Sequence, residues 1–90
     1  MRDTENGFYV MAFSSVSHSI QTEKNARELF DITVIPTPEE LSNDCGFALM
    51  FLNGDFEAIK EFHQTLKFPA DVYLISKEKT NGKRRTEKLL

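Results

Sequence analysis

Ile35-Pro36-Thr37-Pro38-Glu39-Glu40-Leu41-Ser42-Asn43-Asp44-Cys45-Gly46-Phe47-Ala48-Leu49-Met50-Phe51-Leu52 ends one strand and begins another with no helical pattern between them. Pro36 and Pro38 fix their own φ and push the preceding residues into extended conformations, so the chain leaves the first strand stiffly. Glu39 to Asp44 reads as a polar loop. Gly46 to Leu52 is apolar without alternation, the pattern of a strand covered on both faces. The same stretch holds two of the three prolines and the only cysteine, Cys45.

Working outward, Phe8-Tyr9-Val10-Met11-Ala12-Phe13 is a second run of β-favouring residues without alternation. Ser14, Ser15 and Ser17 follow as N-cap candidates. A helix is expected from about Val16 to Phe30, with Ile20, Ala26, Leu29 and Phe30 as its inner stripe and Val16 at the entry. Ile32 to Ile35 is a short strand. Beyond Leu52, Asn53-Gly54-Asp55 reads as a turn and helix start. The second helix runs from about Asp55 to Lys67, with Phe56, Ile59, Phe62, His63 and Leu66 on one face. Pro69 closes it, and Asp71 to Ser76 is the fourth strand. After Lys77 the pattern is lost, although Asn81-Gly82 is a turn signal.

The order β-α-β-β-α-β in about 90 residues implies an α+β, ferredoxin-like split βαβ fold. Right-handed crossovers put both helices on one face of a four-stranded antiparallel sheet. Strands 1 and 3 become the centre, and strands 2 and 4 the edges. Tyr9, Met11 and Phe13 are then candidates for the outer face. That open sheet face is expected to pack on a second copy, as a homodimer, or under the tail. Residues 1–76 form a single domain, and residues 77–90 a basic tail, flexible or a short helix.

Charge divides the chain at the same point. Residues 1–76 net −7 and residues 77–90 net +4, within a total of −3. An acidic body argues against nucleic-acid binding. No run is long enough to span a membrane, and no basic-then-apolar leader opens the chain. A lone thiol that cannot form an internal disulfide suits a reducing cytoplasm.

The topology brings distant residues together. The end of strand 1 lies beside the start of strand 3, so Ser14 and Ser15 come near Cys45 and Gly46. The first turn of helix 1 points its unpaired N–H groups at the same region, which favours a thiolate. His18 lies in or near that turn as a possible assisting base. Against this, Glu39, Glu40 and Asp44 are close in sequence and raise a thiol pKa. Cys45 therefore reads either as a reactive thiol or as an inert buried hydrophobe. As a metal ligand it lacks partners, because His18 and His63 show no ligand spacing with it. No GxSxG and no glycine-rich phosphate loop is present.

The strand ending in Phe13-Ser14-Ser15, the helix with His18, Glu23-Lys24 and Ala26, then Ile35-Pro36-Thr37-Pro38 and Ser42-Asn43-Asp44-Cys45-Gly46-Phe47-Ala48-Leu49, resemble one family. It is the small bacterial selenium/sulfur carrier protein-like family, and the likeness covers about Gly7 to Ser76. The resemblance implies sulfur or selenium carriage on Cys45, with Ser14, Ser15, Ser42 and Gly46 around it and no cofactor. It implies partners such as TusA-like or DsrE-like proteins or a cysteine desulfurase. This sequence has Glu39 where the family often has a basic residue. A carrier or binding protein is thus expected rather than a classical enzyme. The alternative is a non-catalytic ferredoxin-like binding or regulatory module that acts through its sheet face, with a structural cysteine.

Overall fold

Strand β1 (Gly7–Phe13) is buried along nearly its whole length, and the remaining elements are placed by the need to cover both its faces. The computed structural model describes residues 7–38, 41, 46–53, 55–80 and 83–90, with the backbone alone for 77–80, 83 and 84. After β1 come α1 (Val16–Arg27), β2 (Ile32–Pro36), β3 (Phe47–Phe51), α2 (Phe56–Gln64), β4 (Ala70–Thr80) and β5 (Lys83–Lys88). Among the described residues the fold is α+β, with two helices and a five-stranded antiparallel sheet in the order β2-β3-β1-β4-β5.

The register sorts the apolar residues into two layers. Met11 lies opposite both Leu49 and Val72, and Val10 opposite both Met50 and Tyr73. Tyr9, Met11, Phe13, Leu49, Phe51 and Val72 form one cluster with Ala26 of α1 and Ile59 and Phe62 of α2. Val10, Ala12, Ala48 and Ile75 form the other, closed by Leu41 from the β2–β3 loop. Strands that lack alternation are thus strands with a layer on each side. Tyr9, Met11 and Phe13 face the helices, not the outside as expected. The opposite face is not open at its centre, because the single chain already buries Val10, Ala12, Ala48 and Ile75.

Helix α2 follows its sequence pattern. Asp55 caps it by accepting from the Ala58 N–H at 2.9 Å, and Ile59 and Phe62 are its buried residues. Helix α1 follows the expected stripe only in part: Ala26 is buried, and Phe30, past the helix end at Arg27, packs on the core. Its buried residues are Ser19, Thr22 and Ala26, while Val16, Ile20 and, beyond the helix, Leu29 are exposed. Hydroxyl groups can be buried here because the helix satisfies them itself. Ser19 Oγ donates to the Val16 carbonyl at 2.7 Å, and Thr22 Oγ1 to the His18 carbonyl at 2.8 Å.

The segment expected as a basic tail, flexible or helical, is instead half of a hairpin. The boundary placed after Ser76 falls inside β4, and β5 pairs with β4 from Lys79–Arg84 and Thr80–Lys83 to Tyr73–Lys88. This makes β4 an interior strand rather than an edge. The physical reason is the two-residue connection, Asn81-Gly82, a pair favoured in tight hairpins. Beyond Ser76 both strands are so charged that no apolar period marks them. Beyond β5, Leu89 and Leu90 pack against the helix-side cluster, and the Leu89 N–H donates to the Val72 carbonyl at 2.7 Å.

Gly7 is required by close approach. A Cβ there would stand 2.5 Å from the Ile75 carbonyl oxygen of the paired strand. Tyr73 lies on the outer side of β4, and burial pushes its hydroxyl up from 10.0, with Asp71 adding to the rise and Lys88 opposing it.

Two outcomes follow from the fold. Deleting residues 81–90 removes two partly buried leucines that pack against the core and frees the β4 edge, so urea unfolding should show a loss of roughly 2 kcal/mol. An unchanged midpoint would mean that β5 adds nothing. The raised Tyr73 pKa gives stability that is full below pH 10 and falls as pH rises through the folded value, since the unfolded chain releases that proton first. Tyr73→Phe should flatten that alkaline decline in melts taken across the range.

Candidate functional site

The two ends of the β2–β3 loop are held together. The Thr37 N–H donates to the Gly46 carbonyl at 3.1 Å, which continues the ladder one step beyond the Pro36–Phe47 pair. Within the loop, Leu41 is buried against the outer layer, and its N–H donates to the Pro38 carbonyl at 3.0 Å. Cys45, Ser42, Glu39, Glu40 and Asp44 lie outside the described residues. What the described residues establish is the frame around them: a closed loop base and an apolar anchor.

Extending the β1–β3 register two steps beyond Ala12–Ala48 brings Ser14 level with Gly46. Helix α1 starts at the same end of β1. Ser15 holds its N-cap position with extended backbone (φ −143°, ψ 136°), yet makes no side-chain capping bond. Its hydroxyl instead pairs with Ser17 Oγ at 3.2 Å. No acidic residue lies in the first turn. The positive end of the α1 dipole is therefore neither capped by a side chain nor neutralised from within its first turn. Ser14 is exposed, and Ser15 is partly so.

His18, the expected assisting base, sits beside Phe68. Its ring stacks on Phe68, just before β4, with centroids 4.0 Å apart and planes 5° from parallel. Its Nδ1 is buried without a hydrogen-bond partner. The stack fixes the ring between α1 and the segment that leads into β4. Sequence reading missed Phe68 because it lies past the periodic part of α2. It also missed Leu41 as an anchor, although one apolar residue in a polar loop was the available signal.

Gly46 follows Cys45 directly in the chain. A Cβ there meets nothing within 4 Å, so the described surroundings do not demand glycine. His63 is half-buried on α2, and its Nε2 carries the proton, since it lies 2.7 Å from the Ala70 carbonyl, which can only accept. Among the described residues no group of three or more His, Cys, Asp or Glu could hold a metal ion. No helix there is long and apolar enough to cross a membrane.

A family model described as "Putative Se/S carrier protein-like" matches residues 8–81. The chain belongs to this family. The match runs from β1 to the end of β4, so it contains the loop with Cys45 and both helices, and leaves β5 outside. No curated protein and no solved structure matches the chain.

The His18–Phe68 stack generates a stability prediction. His18→Ala should cost about 1 kcal/mol through loss of the aromatic pair. His18→Phe should keep the stack, remove the unpartnered Nδ1 and equal or exceed the parent in thermal unfolding. Equal destabilisation by both substitutions would show that the ring contact contributes little.

Proposed function

We propose that this chain carries sulfur or selenium on the thiol of Cys45 and exchanges it with partner proteins. Membership of the carrier family over residues 8–81 is the observation that carries this reading. It is supported by the frame of the loop: ends joined at Thr37 and Gly46, and an uncapped α1 N-terminus that starts at the adjacent end of β1. A positive dipole end favours the thiolate over the thiol, and the thiolate is the nucleophile. We also read β1–β4 and the two helices as a ferredoxin-like unit, to which β5 is an addition.

The exchange balances without a cofactor. The Cys45 thiolate attacks the outer sulfur of a donor persulfide, such as that of a cysteine desulfurase. A bond forms from Sγ to that sulfur, the donor S–S bond breaks, and the donor leaves as a thiolate. An acceptor thiolate, of the TusA-like or DsrE-like kind, then attacks the outer sulfur on Cys45 and releases the Cys45 thiolate again. One cysteine suffices for both steps, and the rates follow thiolate fraction and access. Selenium follows the same sequence with a selenium atom in the outer position. The acidic residues Glu39, Glu40 and Asp44 near Cys45 in sequence work against thiolate formation. The reading therefore needs the dipole end and solvent access to outweigh them.

The rival reading, a binding module with an inert cysteine, drew on an open sheet face. Burial of Val10, Ala12, Ala48 and Ile75 within one chain weakens that motive. Incubation with a cysteine desulfurase and cysteine should add one sulfur to the intact protein by mass spectrometry, and Cys45→Ser should abolish the adduct. Alkylation followed against pH should give a thiol pKa below the usual value of about 8.5. A thiol that alkylates sluggishly and never gains sulfur or selenium would sink the proposal.

A further inference from the structure

Among the described residues the large apolar side chains left exposed are Val16, Ile20, Leu29, Val34, Phe47 and Leu52. Scattered singly, such residues are ordinary on a protein surface. Val16, Ile20, Val34 and Phe47 are grouped. Val16, Ile20, Glu23 and Arg27 recur at helical spacing along one side of α1. Arg27 Nη1 donates to the Ile32 carbonyl at 3.4 Å, so that side of the helix runs along β2. Val34 pairs with Leu49, and Phe47 lies two residues before Leu49 on β3, so both stand on the helix side of the sheet. Their exposures are 47% for Val16, 50% for Ile20, 38% for Val34 and 49% for Phe47. Ser19, Thr22 and Ala26 fill the buried side of α1, so the core does not use Val16 or Ile20.

The group begins at the candidate site. Phe47 opens β3 two residues after Cys45, and two residues of chain span at most about 7 Å. Val16 opens α1 two residues after Ser14, which is level with Gly46. Val34 is one strand across and two residues along from Phe47, about 8 Å by strand spacing. Ile20 lies one turn beyond Val16, roughly 6 Å along the helix. Leu29 and Leu52 are at the other end: Leu29 follows α1, and the Leu52 N–H donates to the Asp31 carbonyl, just before β2. Gly46 is exposed, with open space where a Cβ would stand.

We infer that Val16, Ile20, Val34 and Phe47 form the docking face for the persulfide-bearing donor protein that loads Cys45. Docking here presupposes carriage by Cys45 and supplies the surface that brings the donor sulfur to the thiol. The transfer itself selects the occupant. The donor sulfur must come within about 3.5 Å of Sγ before the new bond forms. A protein that presents its sulfur there covers about 800 Å² of this chain, a patch roughly 16 Å in radius. Centred on the thiol, a patch of that size takes in Phe47, Val16 and Val34, with Ile20 toward its margin. The centre of an interface is apolar, poor in charge and anchored by aromatic rings. These four side chains carry no charge and include one ring, while the Glu23–Arg27 pair lies past Ile20. A second copy on this face would cover the approach to Cys45, so self-association here and loading exclude one another.

A cysteine desulfurase with cysteine serves as donor, and mass spectrometry follows the one-sulfur adduct of the full chain. Ile20→Ser and Phe47→Ser should each raise the half-saturating concentration of the chain at least about threefold. Alkylation by iodoacetamide, which needs no docking face, should keep its rate in both. Leu29→Ser, at the far end, should load like the parent. Thermal unfolding checks that each variant is folded, and none of these three side chains is buried. If both site-end variants load like the parent, the inference falls and carriage by Cys45 stands. Alkylation slowed as much as loading, or slowed loading in Leu29→Ser, overturns the inference as well. A parent dimer that Ile20→Ser separates gives the face to a second copy and also overturns it. A parent that never gains sulfur removes carriage, and the docking face with it.

Discussion

Everything in this molecule depends on burying β1 from both sides. Met11 and Phe13 on one face, and Val10 and Ala12 on the other, are fully shielded. Burial of apolar surface at about 25 cal/mol per Å² is the main term that can offset chain entropy in so short a protein. A 90-residue chain has few residues to spare, so it uses its helices for one face and a loop for the other. The consequence reaches the β2–β3 connection directly. Leu41, from that connection, belongs to the outer layer.

That coupling bears on chemistry. Thr37 and Gly46 close the loop at its base, while Leu41 holds it against Val10, Ala12, Ala48 and Ile75. Cys45 lies between these two anchors in the chain. The α1 N-terminus, with no side-chain cap and no acidic residue in its first turn, contributes a partial positive charge at the adjoining end of β1. His18 begins in the same helical turn but is committed to Phe68, so its ring ties α1 to the β4 side of the structure.

The two edges of the sheet show how one chain treats the same hazard in two ways. At β5, charge protects the exposed backbone, and Leu89 and Leu90 secure the hairpin to the core. At β2, protection by charge is absent, and apolar groups of α1 lie alongside. The buried side of α1 explains how this is possible. Ser19, Thr22 and Ala26 are small, and their hydroxyls return to the helix backbone, so this helix can pack on the sheet without its larger apolar residues.

The sequence by itself determined the elements whose signals are local. The unbroken apolar runs of β1 and β3, the apolar stripe and Asp55 cap of α2, and the short strand from Ile32 all follow from periodicity and local propensity, and the order of the first six elements follows from them. The family was legible too, because its motif is a run of particular residues at particular spacings. Only tertiary structure decided which face of β1 each side chain meets, since a strand buried on both sides has no polar alternation to set its phase. It also decided the phase of α1, where intrahelical hydrogen bonds let Ser19 and Thr22 take the inner side from Ile20 and Val16. It turned the basic tail into β5, because pairing with β4 and the seating of Leu89 and Leu90 are contacts between distant residues that no local pattern encodes. Around the candidate site the division is the same. The residue types were readable in order, but the commitment of His18 to Phe68 and the anchoring of the loop by Leu41 exist only once the sheet has brought them together.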